Sequence, residues 1–323
     1  MREEEVLNRV RAIFDVSHSE DSGAAENVKK VIVGNGDDGA VVDFQSGLTV
    51  LSTDMAVEKI HFRREWSSPL EIGRKITAAN LADICAMGGW PEYLLVAVAF
   101  PQEYIDELEE LARGIAYEAA KVGAIVIGGD LSQGKELVIS ITAMGRTSRA
   151  IERSGAEDGD AVMISHLPGW SKAGLTILSH RLPQSSELSL RARAQHCSPE
   201  IPYSAYRRVF PFLNSATDIS DGLLIDLKHI ARASKVAIKL ESSLIEKSES
   251  FTALQELLSG FDQEKSTALE YVLSGGEDHV LLMTTSQPEK CDGFTKIGTV
   301  QAGEGVLLDG KEVTGETGYQ HSW

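Results

Sequence analysis

Cysteine is scarce: Cys85, Cys197 and Cys291 are the only three in 323 residues. They are odd in number, widely spaced and form no Cys-x-x-Cys pair, which argues against a disulfide framework or a zinc cluster. Basic charge is also short, with 31 Lys and Arg against 48 Asp and Glu, a net of −17. A chain this acidic repels phosphate backbones and anionic headgroups, so neither nucleic acid nor a membrane surface is expected as its main partner. Any phosphate it binds should be held through cations. Long apolar runs are missing: the longest clean one, Leu94 to Phe100, falls far short of the ~20 residues of a membrane span. The start, Met-Arg-Glu-Glu-Glu, has neither the basic nor the apolar part of a signal peptide, and a cytoplasmic protein is expected. Several catalytic signatures are absent too. There is no Gly-x-x-x-x-Gly-Lys-[Ser/Thr], His-Glu-x-x-His, Gly-x-Ser-x-Gly or EF-hand loop, which removes the P-loop enzymes, zinc proteases, serine hydrolases and calmodulin-like proteins that need them.

What is there is an ordinary globular composition, 42% apolar with 29 Gly, long enough for two domains at roughly 150 residues each. Ile105, Leu108, Leu111, Ile115 and Val122 recur at helical spacing before Gly123, so residues 102–122 predict an amphipathic helix, with a buried strand over Ala124 to Ile127. The polar, glycine-containing stretch Thr147 to Asp160 reads as a boundary, giving domains 1–148 and 149–323. In the second, Ala161 to Ser165 and Val236 to Leu240 predict strands, Trp170 to Leu182 and Gly222 to Ala233 helices. Alternation of this kind in both halves means a mixed α/β (α+β type) protein. The polar segments 183–190 and 241–250 are expected to be surface connections.

Acids sit beside glycines in this chain. Asp37 and Asp38 lie in Gly34-Asn-Gly-Asp-Asp-Gly39, Asp130 follows Gly128-Gly129, Asp218 and Asp221 flank Ile-Ser before Gly222, and Glu277-Asp278 follow Gly275-Gly276. Glycine lets backbone approach a ligand, and a neighbouring carboxylate supplies a hard oxygen donor. One such loop is ordinary turn chemistry; several together point to cation-mediated binding. Ala40–Phe44 and Leu48–Ser52, joined by Gln45-Ser-Gly47, predict a hairpin that would bring Asp37 and Asp38 beside Ser52, Thr53 and Asp54. Like charges that close call for a divalent metal. A helix from near Glu71 would add Asn80 and Asp83, three residues apart on one face, with Asp83 a metal ligand. Residues 34–39 also match Gly-x-Gly-x-x-Gly literally, but a strand follows where the dinucleotide fingerprint needs a helix, so this match is dismissed.

Taken in order, these loops resemble the thiamine-monophosphate kinases, ATP-dependent enzymes that convert thiamine phosphate to thiamine diphosphate. The resemblance runs from Gly34 to the C-terminus and is carried by Gly36-Asp-Asp-Gly-Ala40, Ser52-Thr-Asp54 with His61-Phe62, Lys75 to Gly88, Ile127-Gly-Gly-Asp130, Arg153-Ser-Gly155, Asp218-Ile-Ser-Asp-Gly-Leu223, Leu273-Ser-Gly-Gly-Glu-Asp278 and Gly318-Tyr-Gln-His321. It implies a two-domain fold like that of aminoimidazole ribonucleotide synthetase: an N-terminal mixed sheet used for homodimerisation and a C-terminal α/β domain. It further implies ATP and thiamine phosphate as ligands and several Mg²⁺ ions as cofactors. By position, Asp38, Ser52, Thr53, Asp54, Asp83, Asp130, Asp218 and Asp221 would hold magnesium, with Asp37 a further candidate. Gly129, Asp130, Arg153 and Ser220 would contact ATP; His61, Glu277 and Trp323 would hold thiamine phosphate.

Some positions depart from the family's usual residues: Ala112 and His279 stand where aromatics are usual, Leu131 where Thr is, and Ser322 where Phe is, which leaves Trp323 as the C-terminal aromatic. The attacking oxygen in this chemistry belongs to an already ionised phosphate, so no general base and no covalent nucleophile is expected, and direct in-line transfer can rest on alignment and charge neutralisation. The alternatives are another enzyme of the same superfamily, such as aminoimidazole ribonucleotide synthetase, and an acidic cation-binding protein without activity.

Overall fold

The computed structural model describes residues 9–14, 25–33, 41–43, 47–261, 267–313 and 318. The chain divides into two units, Met1–Ala150 and Ile151–Trp323. No helix among the described residues is long and apolar enough to cross a membrane.

In the first unit, α1 (Ala25–Val28), β1 (Val31–Val33) and β2 (Val41–Val42) precede β3 (Leu48–Val57), α2 (Pro69–Ala86), β4 (Trp90–Phe100), α3 (Leu108–Ala120), β5 (Ile125–Gln133) and β6 (Val138–Thr147). The last four strands form a sheet in the order β3-β6-β4-β5, antiparallel except for the parallel pair β4/β5. Alternation decides which face is covered. Ile139, Ile141 and Ala143 on β6 are fully buried, while Ser140, Thr142 and Met144 between them are half-buried. The covering layer includes α2, whose Ile84 side chain packs against Gly145 of β6. This helix starts where the chemistry says it should. Ser68 accepts from the Glu71 amide and the Glu71 carboxylate accepts from that of Ser68, with Pro69 in the first turn, so orphan amide donors are satisfied reciprocally. The crossing of α2 and α3 is glycine-notched on both sides. A Cβ at Gly73 would lie 2.3 Å from the Leu111 carbonyl oxygen, and one at Gly114 would lie 2.1 Å from that of Leu70.

The second unit contains β7 (Ala161–Ile164), α4 (Trp170–Ser179), α5 (Glu187–Cys197), α6 (Tyr203–Val209), β8 (Ser215–Ile219), α7 (Leu223–Ser234), β9 (Ala237–Leu240), α8 (Ser242–Ile245), α9 (Glu249–Ser259), α10 (Ala268–Ser274), β10 (Val280–Thr285), β11 (Thr295–Gln301), β12 (Gly305–Leu308) and β13 (Lys311–Glu312). Its sheet runs β13-β12-β9-β11-β7-β10-β8, antiparallel except for β12/β9. Every residue of β7 and β10 is buried, the mark of strands covered on both faces. Val162, Ile164, Leu282 and Ile297 pack with Trp170, Leu227, Leu254 and Tyr271 into one core.

Three expectations need correction. The hairpin does not form among the described residues: Val41–Val42 pairs with β1, and β3 pairs with β6 along its whole length. Ten ladder partners on a long strand outweigh a short local turn. Gly128-Gly129-Asp130 is not a loop, because β5 continues through it, with Gly129 opposite Val96 and Asp130 opposite Ala97. Segments 183–190 and 241–250 are partly helical, since Ser186 and Ser248 accept from the amides three residues on and start α5 and α9, and α8 lies between Ser242 and Ile245.

Candidate active site

In the first unit the strand period places Ser52 and Asp54 on the face of β3 that meets α2. There the Ser52 hydroxyl donates to the Asp83 carboxylate at 2.6 Å, and the Asp54 amide donates to the Asn80 side-chain oxygen at 3.2 Å. The three-residue spacing on α2 thus does what it predicted: Asn80 and Asp83 both address β3. Thr53 points to the opposite face, where its hydroxyl donates to the Ile141 carbonyl at 3.1 Å and lies 3.0 Å from that of Thr142. Its backbone stays with Ser52 and Asp54. His61 sits after the strand, half-buried, and its Nδ1 accepts from the Val57 amide at 3.0 Å. That bond leaves the ring proton on Nε2.

Asp130 belongs to the other edge of the sheet. Asp54 pairs with Ile141, Ile141 with Val96 and Val96 with Gly129, so Asp54 and Gly129 stand in one row, roughly 14 Å apart at ~4.8 Å per strand. Gly129 is required where it is: a Cβ there would lie 1.8 Å from the Val96 carbonyl oxygen. Gly129 and Asp130 are exposed, the departure Leu131 is half-buried beside them, and Ala112 is buried on α3.

In the second unit two loops lie back to back. The Glu277 amide donates to the Ser220 carbonyl at 2.8 Å and that of His279 to Ile219 at 3.1 Å. A Cβ at Gly276 would reach 2.2 Å from the Ser220 oxygen, and Gly222, at φ +131°, packs on the Ser274 backbone. The contact brings Asp218, Ser220 and Asp221 together with Glu277. Arg153 joins them through its Nε, which donates to the Thr217 hydroxyl at 3.2 Å. Gly318 reaches the same place, since a Cβ there would lie 2.4 Å from the Asp221 carbonyl oxygen. Asp218 is buried and its Oδ2 lies 3.2 Å from Nδ1 of His279, so the departure from an aromatic residue supplies a polar partner for Asp218.

Asp226 lies outside the sequence motifs, and Asp278, inside one of them, had no role assigned to it. Asp226, in the first turn of α7, accepts from the Asp221 and Gly222 amides at 3.3 and 3.2 Å. Burial raises its pKa, and the charges of Asp218 and Asp221 add to the rise. An acid four residues after Gly222 at a helix start is the signal that could have found it. Asp278 is fully buried and accepts from the Gly169 and Ser171 amides at 2.6 and 2.9 Å, at the start of α4; burial pushes its pKa up to about 6. Glu277 and His279 on either side of it are left-handed, at φ 60° and 51°.

Among the described residues no three His, Cys, Asp or Glu side chains converge on a metal position. Magnesium does not need such a cage, because it takes one or two carboxylates and completes its shell with water and substrate phosphates. The hard-oxygen pairs at Ser52/Asp83 and Asp218/Asp221 fit that requirement. Asp37, Asp38, Ser322 and Trp323 lie outside the described residues.

Residues 36–147 match the family of AIR synthase related proteins, N-terminal domain. The thiamine-monophosphate kinase of Mycobacterium tuberculosis is 38% identical over 296 residues, covering 90% of this chain and 86% of that protein. The chain belongs to the thiamine-monophosphate kinase family. Two solved structures agree with it along nearly their whole length. Thiamine-monophosphate kinase from Stenotrophomonas maltophilia superposes with a TM-score of 0.81 at 29% identity, covering 97% of this chain and 98% of that one. A structure described as AaThiL complexed with AMPPCP and TMP gives 0.79 at 29% identity, covering 100% and 99%. The fold of the thiamine-monophosphate kinases therefore accounts for both mixed sheets of this chain.

Proposed function

We propose that this protein transfers the γ-phosphoryl group of ATP to the phosphate of thiamine phosphate, producing thiamine diphosphate and ADP. The observation that carries the proposal is the match over both units to a relative solved with AMPPCP and TMP, together with the identity to curated thiamine-monophosphate kinases. In the first unit Ser52, Thr53 and Asp54 on one edge strand, Asp83 on the helix facing it and Asp130 on the other edge would hold magnesium, with Asp38 and, as a further candidate, Asp37; in the second unit Asp218 and Asp221 would do so. Bound there, magnesium neutralises phosphate charge. The separation of Asp54 from Asp130 favours more than one ion, since a single ion reaches ligands only ~2.1 Å away.

The residues themselves align and hold. Gly129 would let backbone come close to a nucleotide, Ser220 would offer a hydroxyl, and Arg153, fixed by Thr217, would supply positive charge for a phosphate. His61 offers Nε2–H to the acceptor and Glu277 a carboxylate, with Trp323 a flat wall. The acceptor oxygen is already anionic, so no residue need remove a proton, and transfer is direct and in-line.

A homodimer is part of this reading. Leu51 and Met55, on the face of β3 turned away from α2, are 64% and 58% exposed, apolar surface that a second copy would cover. The cytoplasm, which supplies ATP, is the expected location. An assay of ADP release with MgATP tests the proposal against thiamine phosphate, thiamine, formylglycinamidine ribonucleotide and no acceptor, with EDTA as control. ADP and thiamine diphosphate should appear only with thiamine phosphate and Mg²⁺. No turnover with any acceptor would overturn the assignment.

A further inference from the structure

The turn that carries Glu277 is conformationally expensive. Non-glycine residues at positive φ are strained, and Glu277 and His279 flank Asp278 with two of them. Several contacts over-determine it. The Asp278 carboxylate is bonded to the first amides of α4, its carbonyl accepts from Gln195 Nε2 at 3.4 Å, and the His279 carbonyl accepts from the Tyr206 hydroxyl at 3.0 Å. All of these hold backbone or Asp278. The Glu277 side chain meets a different group. Nδ1 of His196, the residue after Gln195 on α5, lies 3.5 Å from Glu277 Oε2 and 3.1 Å from the Ser171 hydroxyl. His196 is only 5% exposed, while Glu277 is half-buried.

The Glu277 carboxylate favours one tautomer. A carboxylate only accepts, so a bare Nδ1 would set lone pair against lone pair; an Nδ1–H can be shared between the Glu277 carboxylate and the Ser171 oxygen. A buried imidazole held by Ser171 from α4 has one orientation, and it passes that orientation to the carboxylate. We infer that His196, held by Ser171, is a positioning residue that aims the Glu277 carboxylate at the acceptor, and so sets affinity for thiamine phosphate. The inference rests on the reading of Glu277 as an acceptor-binding residue.

The test uses the full chain with three substitutions, His196→Leu, His196→Asn and Glu277→Gln, and measures KM for thiamine phosphate, KM for ATP, and binding of thiamine phosphate without ATP by calorimetry. Leucine fills the buried site without a donor. Asparagine carries an amide nitrogen near where Nδ1 sits. His196→Leu should weaken thiamine phosphate binding about tenfold, the effect of losing one hydrogen bond to a charged group, with KM for ATP unchanged. His196→Asn should recover most of the loss, which a packing role would not do. Weakened acceptor binding in Glu277→Gln with wild-type binding in His196→Leu would overturn the role of His196 and leave the proposed reaction standing. Unchanged acceptor binding in Glu277→Gln would overturn both residues' roles, while thiamine diphosphate formation by the wild type reports on the reaction separately. Equal weakening of ATP and acceptor in His196→Leu without rescue by asparagine would also refute positioning.

Discussion

Replacing His166 with asparagine should change how the protein's stability responds to acid. Nδ1 of His166 lies 2.9 Å from the Ser165 hydroxyl, and its Nε2 is shut off from water without a hydrogen-bond partner among the described residues. Burial lowers its pKa to about 4 from 6.5. Between those values the unfolded chain binds more protons than the folded one, so His166 contributes stability that is complete above pH 6.5 and is lost as pH falls toward 4. The shift of about 2.5 units corresponds to about 3 kcal/mol. Asp278 acts in the opposite sense. With its pKa raised from 3.8 to about 6, the folded state binds the extra proton, so stability rises as pH falls from 6 to 3.8, by about 3 kcal/mol. The two contributions nearly cancel across pH 4 to 6 in the wild type. His166→Asn keeps a group near Ser165 and removes one arm, adding a constant cost for lost packing. Urea unfolding of both proteins at half-unit steps from pH 4.5 to 7.5 should show the variant gaining on the wild type as pH falls, by about 2 to 3 kcal/mol over the range. Parallel stability curves would refute the reasoning.

Asp54→Ala and Asp130→Ala should each abolish thiamine diphosphate formation while leaving the melting temperature near wild type or slightly raised, because neither removes core packing; a large loss of stability in calorimetry would favour a structural role. Gly129→Ala should destabilise the first unit by about 2 to 4 kcal/mol, because its Cβ would sit 1.8 Å from a backbone oxygen of the neighbouring strand, and a wild-type unfolding curve would contradict the β4/β5 register. The pair Leu51→Glu and Met55→Glu should give a monomer by analytical ultracentrifugation if the open face of β3 joins two copies; an unchanged mass would remove that face from the interface.

How much of this was legible in the sequence depends on the range of the interaction. Asn80 and Asp83 were placed on one helix face by spacing alone, because that period is local; Ser52 and Asp54 were grouped only through a hairpin, and it is the length of β3 that puts them on one face. The partner of that strand was not legible: Gln45-Ser-Gly47 suggested a hairpin with Val41 and Val42, yet β6 lies some ninety residues downstream and pairs with all ten residues of β3. Gly128-Gly129 looked like a loop because glycine is common in loops; here it marks a close approach inside a strand, which only the neighbour Val96 reveals. Asp226 and His196 gave no motif, and Asp278 lay in one that did not announce its burial, since each is defined by amides or side chains brought to it from elsewhere in the second unit.

The paired notches at Gly73 and Gly114 have a bearing on how this protein can change over generations. Gly73 lies ten residues before Asp83 on the same helix, about 15 Å along its axis. With backbone wedged into backbone at that crossing, α2 can neither slide nor roll without breaking contact, so the position of Asp83 opposite Ser52 is inherited from a place with no chemistry of its own. Descendants of this chain would lose the 2.6 Å contact of Ser52 with Asp83 as surely through a methyl group at either glycine as through loss of the carboxylate, and selection on the reaction should hold all four positions together.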